Sequence, residues 1–440
     1  MRLVPGISYH AFGDRVYLHS IDSQRDYIFE GITLDVLDFC RENPEGSLED
    51  MCAHLARIYE VEDLDGLRGD VQEFVDELTR EKILQEPNPR DENMWSNKIP
   101  MEVAEEFARE HRLFSLSFEL TYRCVERCIH CYIDDAPKFC AADELTLDEY
   151  KNILTQAREM GCVSILFTGG EILLRKDLCD IVEFATSLGF IVNLYTTGVG
   201  LTDEVFERLC AAKVDGISVS LYSGIAAEHD KITGVKGSFE KTLRATLMFK
   251  SAGVNTFIKC VAMKQNFDSL KSLFELGRRL KLYVTVSPRI ISGHESKCAA
   301  DYALGDLELY KKFYELNKQY VPADLSAPRF SREQMLERAS CGAGINSLSI
   351  DPFGGVRPCN TFHETFGSVR EDSLQNIWEQ SRRWNLRNRR MRDITAKCAD
   401  CRYLEYCTVC IADLINRTHG EFTECGEDLV KARAAAEILE

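Results

Sequence analysis

The sequence predicts an α/β fold: a partial (β/α)6 TIM-like barrel, with a winged-helix-like domain before it and a cysteine-rich domain after it. Three observations carry that prediction. Between residues 112 and 288 six strand patterns alternate with helical ones, which calls for parallel strands joined by right-handed crossovers. The unusual residues fall directly after strands, where β/α barrels keep their chemistry. Ten of the 18 cysteines gather in two regions at metal-ligand spacing.

Residues 1–90 form the first module. Val16–Ser20 and Tyr27–Glu30 have strand patterns, with Ser23, Gln24 and Arg25 as a turn between them. Helical patterns follow at Thr33–Arg41, Ser47–Tyr59 and Val61–Ile83, and Ser47 stands three residues before Asp50 as a loose N-terminal capping pair. Such a module suggests DNA binding, but it holds 20 Asp and Glu against 9 Lys and Arg, a net −11. That charge repels phosphates and leaves peptide binding at a strand edge as the better reading. Residues 91–111 are expected to be a linker, continuing the polar, proline-broken stretch from residue 86.

Residues 112–310 form the barrel. Its strands are Leu113–Thr121, Val163–Phe167, Phe190–Thr197, Gly216–Ser223, Asn255–Met263 and Leu282–Pro288. Its helices are Thr146–Met160, opened by the capping box T-L-D-E, then Lys176–Leu188, Asp203–Lys213, Ser238–Ser251 and Phe267–Leu280. Six units fall short of the eight of a closed barrel, hence a partial one. Residues 311–440 are the cysteine-rich domain.

The formal net charge of −18 argues against nucleic acid and anionic membrane surfaces as partners. No apolar run reaches the ~20 residues of a membrane span. The N-terminus has no secretory signal pattern, so a cytoplasmic protein is expected. Cytosolic thiols stay reduced, so the cysteines need a role other than disulfides. Cys40, Cys52, Cys140, Cys162, Cys179, Cys210, Cys260 and Cys298 are scattered and read as small buried hydrophobes. The other ten carry the chemistry.

Cys124, Cys128 and Cys131 follow strand one in CVERCIHC. A structural zinc site wants four ligands, and His130 beside Cys131 is awkwardly placed to be the fourth. Three thiolates suit an iron–sulfur cluster with one iron left open. On strand two, Thr168-Gly169-Gly170-Glu171 follows; strand four ends at Ser220 and Tyr222.

This Cys-x3-Cys-x2-Cys pattern after strand one resembles the radical S-adenosylmethionine (SAM) enzymes. The resemblance implies that Cys124, Cys128 and Cys131 hold a [4Fe–4S] cluster whose fourth iron takes the amino and carboxylate groups of SAM. It implies reductive cleavage of SAM to a 5′-deoxyadenosyl radical, which abstracts hydrogen from substrate, and a low-potential donor of flavodoxin or ferredoxin type. Thr168, Gly169, Gly170 and Glu171 are similar to the family's segment at the methionine end of SAM, and Ser220 to its polar contact on strand four. Two departures stand out: Ile232-Thr233-Gly234 replaces a frequent Arg-Gly pair, and Thr197 replaces a common Asn. Lys259 and Arg289 read either as contacts to the SAM carboxylate or ribose, or as charges at the barrel edge.

Cys341, Cys359, Cys398, Cys401, Cys407, Cys410 and Cys425 resemble the SPASM extension of the same family, which implies two auxiliary clusters. By that analogy Cys398, Cys401, Cys407 and Cys425 close one. Cys341, Cys359 and Cys410 hold the other, with an open iron or a fourth ligand such as Cys298. A pair of structural zinc sites is the alternative.

With its acidic N-terminal module the whole chain resembles maturases of ribosomally made (RiPP) peptides, which capture a leader peptide by strand addition. The implied reaction is oxidative cross-linking of a precursor peptide, with thioether formation favoured and auxiliary clusters taking the extra electron. The alternatives are a carbon–carbon cross-link, oxidation of the sulfatase-maturing type, an RNA-modifying enzyme using RRWNLRNRRMR (Arg382–Arg392), and a metal-stabilised winged-helix regulator.

Overall fold

The computed structural model describes residues 7–12, 15–20, 25–42, 47–59, 61, 63–81, 83, 101–133, 143–291, 299–321, 330–380, 386–395, 397–418 and 425–439. The polar stretch 86–100, the turn residues Ser23 and Gln24, and Cys140 and Cys298 lie outside them.

The chain opens with a three-stranded antiparallel sheet, β1 (Ile7–Phe12), β2 (Arg15–Ser20) and β3 (Arg25–Glu30), in that order. The first of these strands is absent from the pattern reading, and Arg25 belongs to β3 rather than to a turn. Three helices follow: α1 (Ile32–Glu42), α2 (Leu48–Tyr59) and α3 (Leu64–Arg80). The Ser47 hydroxyl accepts from Asp50 N while the Asp50 carboxylate accepts from Ser47 N, a reciprocal cap that starts α2. Val36, Met51, Leu55, Val71 and Val75 make the module's own small core.

Residues 101–110, expected within a linker, form instead a helix, α4 (Met101–Glu110). Val103 and Phe107 are one turn apart and both buried, so the segment has an apolar stripe that a linker lacks. They pack with Tyr17, Phe114, Val163 and Ile191, which joins the N-terminal sheet to the starts of the barrel strands.

The barrel strands are β4 (Ser115–Glu119), β5 (Ser164–Thr168), β6 (Ile191–Thr196), β7 (Gly216–Ser220), β8 (Thr256–Val261) and β9 (Tyr283–Ser287), all parallel and in chain order across the sheet. Between them run α5 (Leu147–Glu159), α6 (Leu178–Ser187), α7 (Asp203–Ala211), α8 (Ala226–Thr233), α9 (Ser238–Ser251) and α10 (Leu270–Leu280). The Thr146–Glu149 capping box starts α5 as its sequence predicts. Alternation assigns the two strand faces. Leu116, Phe118, Ile165, Phe167, Val192, Leu194, Ile217 and Val219 point to the helices and form the main core. Their neighbours Ser117, Glu119, Thr168, Tyr195, Ser218 and Ser220 face inward.

The sheet does not end with the barrel. Past α11 (Ala299–Tyr302), α12 (Leu307–Tyr320) and α13 (Arg332–Glu337), β10 (Ser347–Ile350) pairs in parallel with β4. β11 (Gly355–Arg357) and β12 (Gly367–Ser368) then extend the sheet antiparallel, to nine strands. Leu348, Ile350, Val356, Phe362 and Trp378 belong to the same core as the barrel. The remaining helices are α14 (Leu374–Gln380), α15 (Ile411–Thr418) and α16 (Glu427–Leu439), the last against α12. Within the described part of the basic run, Arg387 is buried over the Trp378 ring and Arg392 pairs with Glu337. No helix among the described residues is long and apolar enough to cross a membrane.

Candidate active site

The loop carrying Cys124, Cys128 and Cys131 leaves the C-terminal end of β4, and its path is set by backbone contacts on two sides. On one side it lies directly on the glycine pair after β5. Gly170 N donates to Thr121 O at 2.7 Å and Glu171 N to Arg123 O at 2.8 Å. A Cβ on Gly170 would stand 2.3 Å from Arg123 O, and one on Gly169 2.5 Å from Thr121 O. Gly169 also has φ +134°, a conformation that side chains disfavour. Both glycines are therefore needed for the cysteine loop to dock. On the other side, Arg127 N donates to Thr233 O at 2.7 Å and Ile129 N to Ile232 O at 3.0 Å. The Ile-Thr segment that departs from the family pattern thus holds the loop by its carbonyls.

The three thiols are electrostatic neighbours of one another. Burial pushes the Cys124 thiol up to about 12, with Glu171, Glu126 and Cys131 adding to the rise and a backbone hydrogen bond opposing it. Burial, then Glu126 and the other two cysteines, push Cys128 well above its usual range. The charged neighbours that raise Cys124 and Cys128 are carboxylates and thiols, and a bound metal centre would supply the positive charge that deprotonates them. The His130 ring packs edge-on against Tyr222, 4.6 Å between centroids.

A relay of buried polar groups supports this loop. Tyr222 N donates to His229 Nδ1 at 3.2 Å, which fixes the ring proton on Nε2. Nε2 stands 3.2 Å from Ser238 Oγ, which donates to Glu126. The other oxygen of Glu126 faces Cys128 Sγ at 3.5 Å. Burial lowers His229 to about 4, so it is the neutral donor that this chain of bonds requires. Pattern reading missed Glu126, His229 and Ser238 as supports, although Glu126 lies within CVERCIHC and the other two flank Ile232-Thr233-Gly234.

Glu171 is fully buried. Its carboxylate accepts from Thr196 Oγ1 at 2.6 Å, Leu173 N at 3.0 Å, and Thr197 N at 2.7 Å and its hydroxyl. Burial raises its pKa, and these bonds oppose the rise. It ties the ends of β5 and β6 together, and Thr197 is a partner in that tie.

A second buried carboxylate, Glu119, stands at the inner face where β4 ends. It accepts from Tyr132 Oη at 2.6 Å and Tyr122 Oη at 3.2 Å, and Arg357 of β11 lies 4.0 Å away. Asn360 reaches Tyr132 Oη at 3.4 Å. Burial raises Glu119 to about 7 in spite of the Tyr132 bond and Arg357. This network ties the loop carrying the triplet to the segment carrying Cys359.

The seven C-terminal cysteines sort into two groups. Cys359 is held up at about 11 by burial, with Cys410 and Cys341 as charged neighbours. Cys407 is likewise held up at about 11 by burial, with Asp428, Cys398 and Cys401 nearby. Cys398 and Cys425 share a hydrogen bond that lowers the first and raises the second. Three thiols thus stand together and four stand together, with Cys410 in the first group and Cys407 in the second. Seven thiolates divided as three and four supply donors for two metal centres.

Arg289, one of two cations left open by the sequence, bonds Thr408 O and pairs with Asp428 at 2.8 Å beside Cys410. It belongs to the C-terminal cysteine region. Lys259 stays within the barrel.

Three protein-family models match parts of the chain. The radical SAM superfamily model matches residues 118–277, an iron–sulfur cluster-binding SPASM domain residues 341–402, and coenzyme PQQ synthesis protein D residues 26–84. The AdoMet-dependent heme synthase of Methanosarcina barkeri is 29% identical over 70% of this chain and 94% of its own. The PqqA peptide cyclase of Rhizobium meliloti is 28% identical over 65% of this chain and 79% of its own. Streptococcus suis SuiB, solved with its precursor peptide SuiA, shares the fold: TM-score 0.60, 16% identity, covering 96% of this chain and 98% of SuiB.

Proposed function

This chain is a radical SAM protein with an iron–sulfur SPASM domain and a PqqD-type domain, and from that premise we propose that it modifies a ribosomally made precursor peptide, closing a thioether between a cysteine sulfur and a carbon. Cys124, Cys128 and Cys131 would hold the SAM-binding cluster; Thr168, Gly169, Gly170 and Ser220 would line the SAM site, with Glu171 bracing it through Thr196 and Thr197. Cys398, Cys401, Cys407 and Cys425 would hold one auxiliary cluster, and Cys341, Cys359 and Cys410 another with an iron left for a substrate thiolate. When bound, cluster and SAM supply a carbon-centred radical able to take hydrogen from an unactivated C–H bond.

The chain's own residues do the rest. The buried Glu126–Ser238–His229 relay fixes the loop of the triplet. Glu119, at about 7, can hold a proton near neutral pH beside the barrel lumen. Among the described residues β3 is paired on one side only, so its outer edge would accept an extended leader segment.

The observation that carries the reading is the grouping of ten cysteines as three, three and four around a barrel preceded by a PqqD-type domain. A porphyrin substrate is the second reading, favoured by the match to heme synthase; that alignment leaves three tenths of this chain unmatched, whereas the peptide reading gives the N-terminal module a task. A cytoplasmic site of action and a flavodoxin- or ferredoxin-type donor accompany the proposal.

The test begins with iron and zinc per chain after anaerobic reconstitution, in the wild type and with Cys124, Cys128 and Cys131 all changed to Ala. About 12 irons falling to about 8 is expected; zinc in their place would sink the radical reading. Mass spectrometry of a precursor peptide encoded beside the gene should then show loss of two hydrogens and a blocked cysteine thiol. A free thiol in a product lighter by two hydrogens would instead mean a carbon–carbon link.

A further inference from the structure

Arg289 leaves the barrel two residues past β9, where its amide donates to Ser287 Oγ at 3.1 Å, and crosses to the C-terminal cysteines. Its guanidinium donates to Thr408 O and pairs with Asp428 Oδ1 at 2.8 Å. Thr408 lies between Cys407 and Cys410 in the chain, and those two thiols belong to different groups, Cys410 to the three and Cys407 to the four. The ion pair therefore stands where the two groups meet.

Its two ends have different neighbours. Arg289 is a charged neighbour of Cys410, and Asp428 of Cys407. Asp428 N donates to Cys425 O at 3.2 Å, which roots the carboxylate in the loop of the four-thiol group. On the other side Asp413 N, in the first turn of α15, points at Cys410 Sγ from 3.5 Å, so an N–H donor joins the cation there. The half-buried Asp413 carboxylate is the opposing charge at that end. Asp428 itself is only 3% exposed. Lys431 Nζ reaches the same Oδ1 at 3.2 Å, while Oδ2 is buried with no hydrogen-bond partner among the described residues. Burying a carboxylate beside thiols with one oxygen unbonded works against folding, so stability does not account for it. What such a charge does keep, away from water, is its field.

We propose that the Arg289–Asp428 pair sets the two auxiliary centres at different reduction potentials, the three-thiol centre above the four-thiol centre. A cation and an N–H donor stabilise the reduced, more negative state of a cluster, and a carboxylate destabilises it. An electron delivered to the two centres then settles first on the one held by Cys341, Cys359 and Cys410, which has the iron left for a substrate thiolate. The proposal rests on the functional reading for the existence of those two centres.

The test uses the full chain with Cys124, Cys128 and Cys131 changed to Ala, reconstituted anaerobically, so that only the auxiliary centres report. Redox titration followed by electron paramagnetic resonance gives their midpoints, with iron content and melting temperature measured for every variant. Two one-electron steps are expected in this parent, and changing Cys341 and Cys359 together to Ala removes the upper one. Arg289→Gln lowers the upper step by roughly tenfold in its reduction equilibrium, ~59 mV for one electron, and moves the lower step less. Asp428→Asn raises the lower step by a similar factor and moves the upper step less. Arg289→Lys, which keeps the charge, restores most of the upper step; a merely structural arginine would give no such rescue. Should Arg289→Gln fall short of about eight irons, Asp428→Asn and Arg289→Lys still decide the matter by the same signs. Midpoints within twofold of the parent equilibria in Asp428→Asn, shifts of one sign in both charge-removing variants, or an upper step that survives loss of Cys341 and Cys359 would overturn the proposal. Failure of the functional reading is separate, because it appears as a parent chain that holds zinc, or no iron, in place of about eight irons.

Discussion

Single residues at this site act through their neighbours. Ser238 is the clearest example, since it is fully buried and bonds both His229 and Glu126. Changing Ser238→Ala leaves two buried polar groups without their shared partner, at about 1–3 kcal/mol. A lower melting temperature is expected, together with reduced iron in the triplet and unchanged iron in the C-terminal groups. Iron analysis against a variant lacking the triplet reads this directly; full iron occupancy would show that the relay is not what holds the loop. Ser220, Glu119 and Lys259 share another lesson. Each alternates with buried apolar residues along its strand, and only the inward face makes sense of it.

At the scale of elements, two contacts decide how the barrel works. The first is the stacking of the cysteine loop on the glycines after β5. Because a Cβ at Gly170 would lie 2.3 Å from Arg123 O, and that obstacle is backbone, Gly170→Ala must displace the loop. The expected outcome is loss of about four of about 12 irons, with a fold otherwise intact by circular dichroism. Retention of all irons would mean that the loop can shift without cost. The second contact joins β2 to the base of the barrel. His19 is buried between Asp26 at 2.8 Å and Asp215 at 2.5 Å. Burial alone would lower its pKa, but the charge and bonds of Asp215 and Asp26 outweigh it and hold it at about 9. A folded-state pKa above the unfolded value contributes stability that is complete below about 6.5 and fades as the pH rises through about 9. Protection factors in β2, with the intrinsic base-catalysed rate divided out, should therefore fall across that window. Asp215→Asn, which removes one partner of a buried pair, should lower them at every pH in the range, consistent with a cost of about 3–5 kcal/mol. Protection factors that stay constant with pH in the wild type would remove His19 from the docking contact.

For the whole molecule, the consequence is that the three regions are not independent beads. Tyr17 of the N-terminal sheet is fully buried against α4 and the starts of β5 and β6, and β10 of the C-terminal region continues the barrel sheet. Deleting residues 1–81 should uncover Val103, Phe107, Phe114, Val163 and Ile191 together. Such a truncated chain is expected to melt at a lower temperature and to self-associate, measured by scanning calorimetry and light scattering. A monomeric truncation with an unchanged melting temperature would show that the module is only tethered. The same geometry places the N-terminal sheet at the N-terminal ends of the barrel strands and the cysteine triplet at their C-terminal ends.

The strand–helix alternation from residue 113 to 288, the Thr146 capping box and the clustering of cysteines were legible because each rests on short-range rules: periodicity, caps and ligand spacing. β1 was not, since its pairing with β2 is needed to recognise ISYHAF as a strand rather than a loose terminus. Helix α4 was hidden by the polar stretch before it, and its apolar stripe has meaning only against Tyr17 and Phe114. Sequence alone determined which residues are candidates for the chemistry: three cysteines after one strand, seven more near the end, and a glycine pair after the next strand. Tertiary structure alone decided what each is held by. The partition of the C-terminal thiols, the Glu126–Ser238–His229 support and the transfer of Arg289 to the C-terminal region all join residues tens to hundreds of positions apart. Contacts of that range leave no periodic trace in a sequence, because packing rather than local backbone preference selects them.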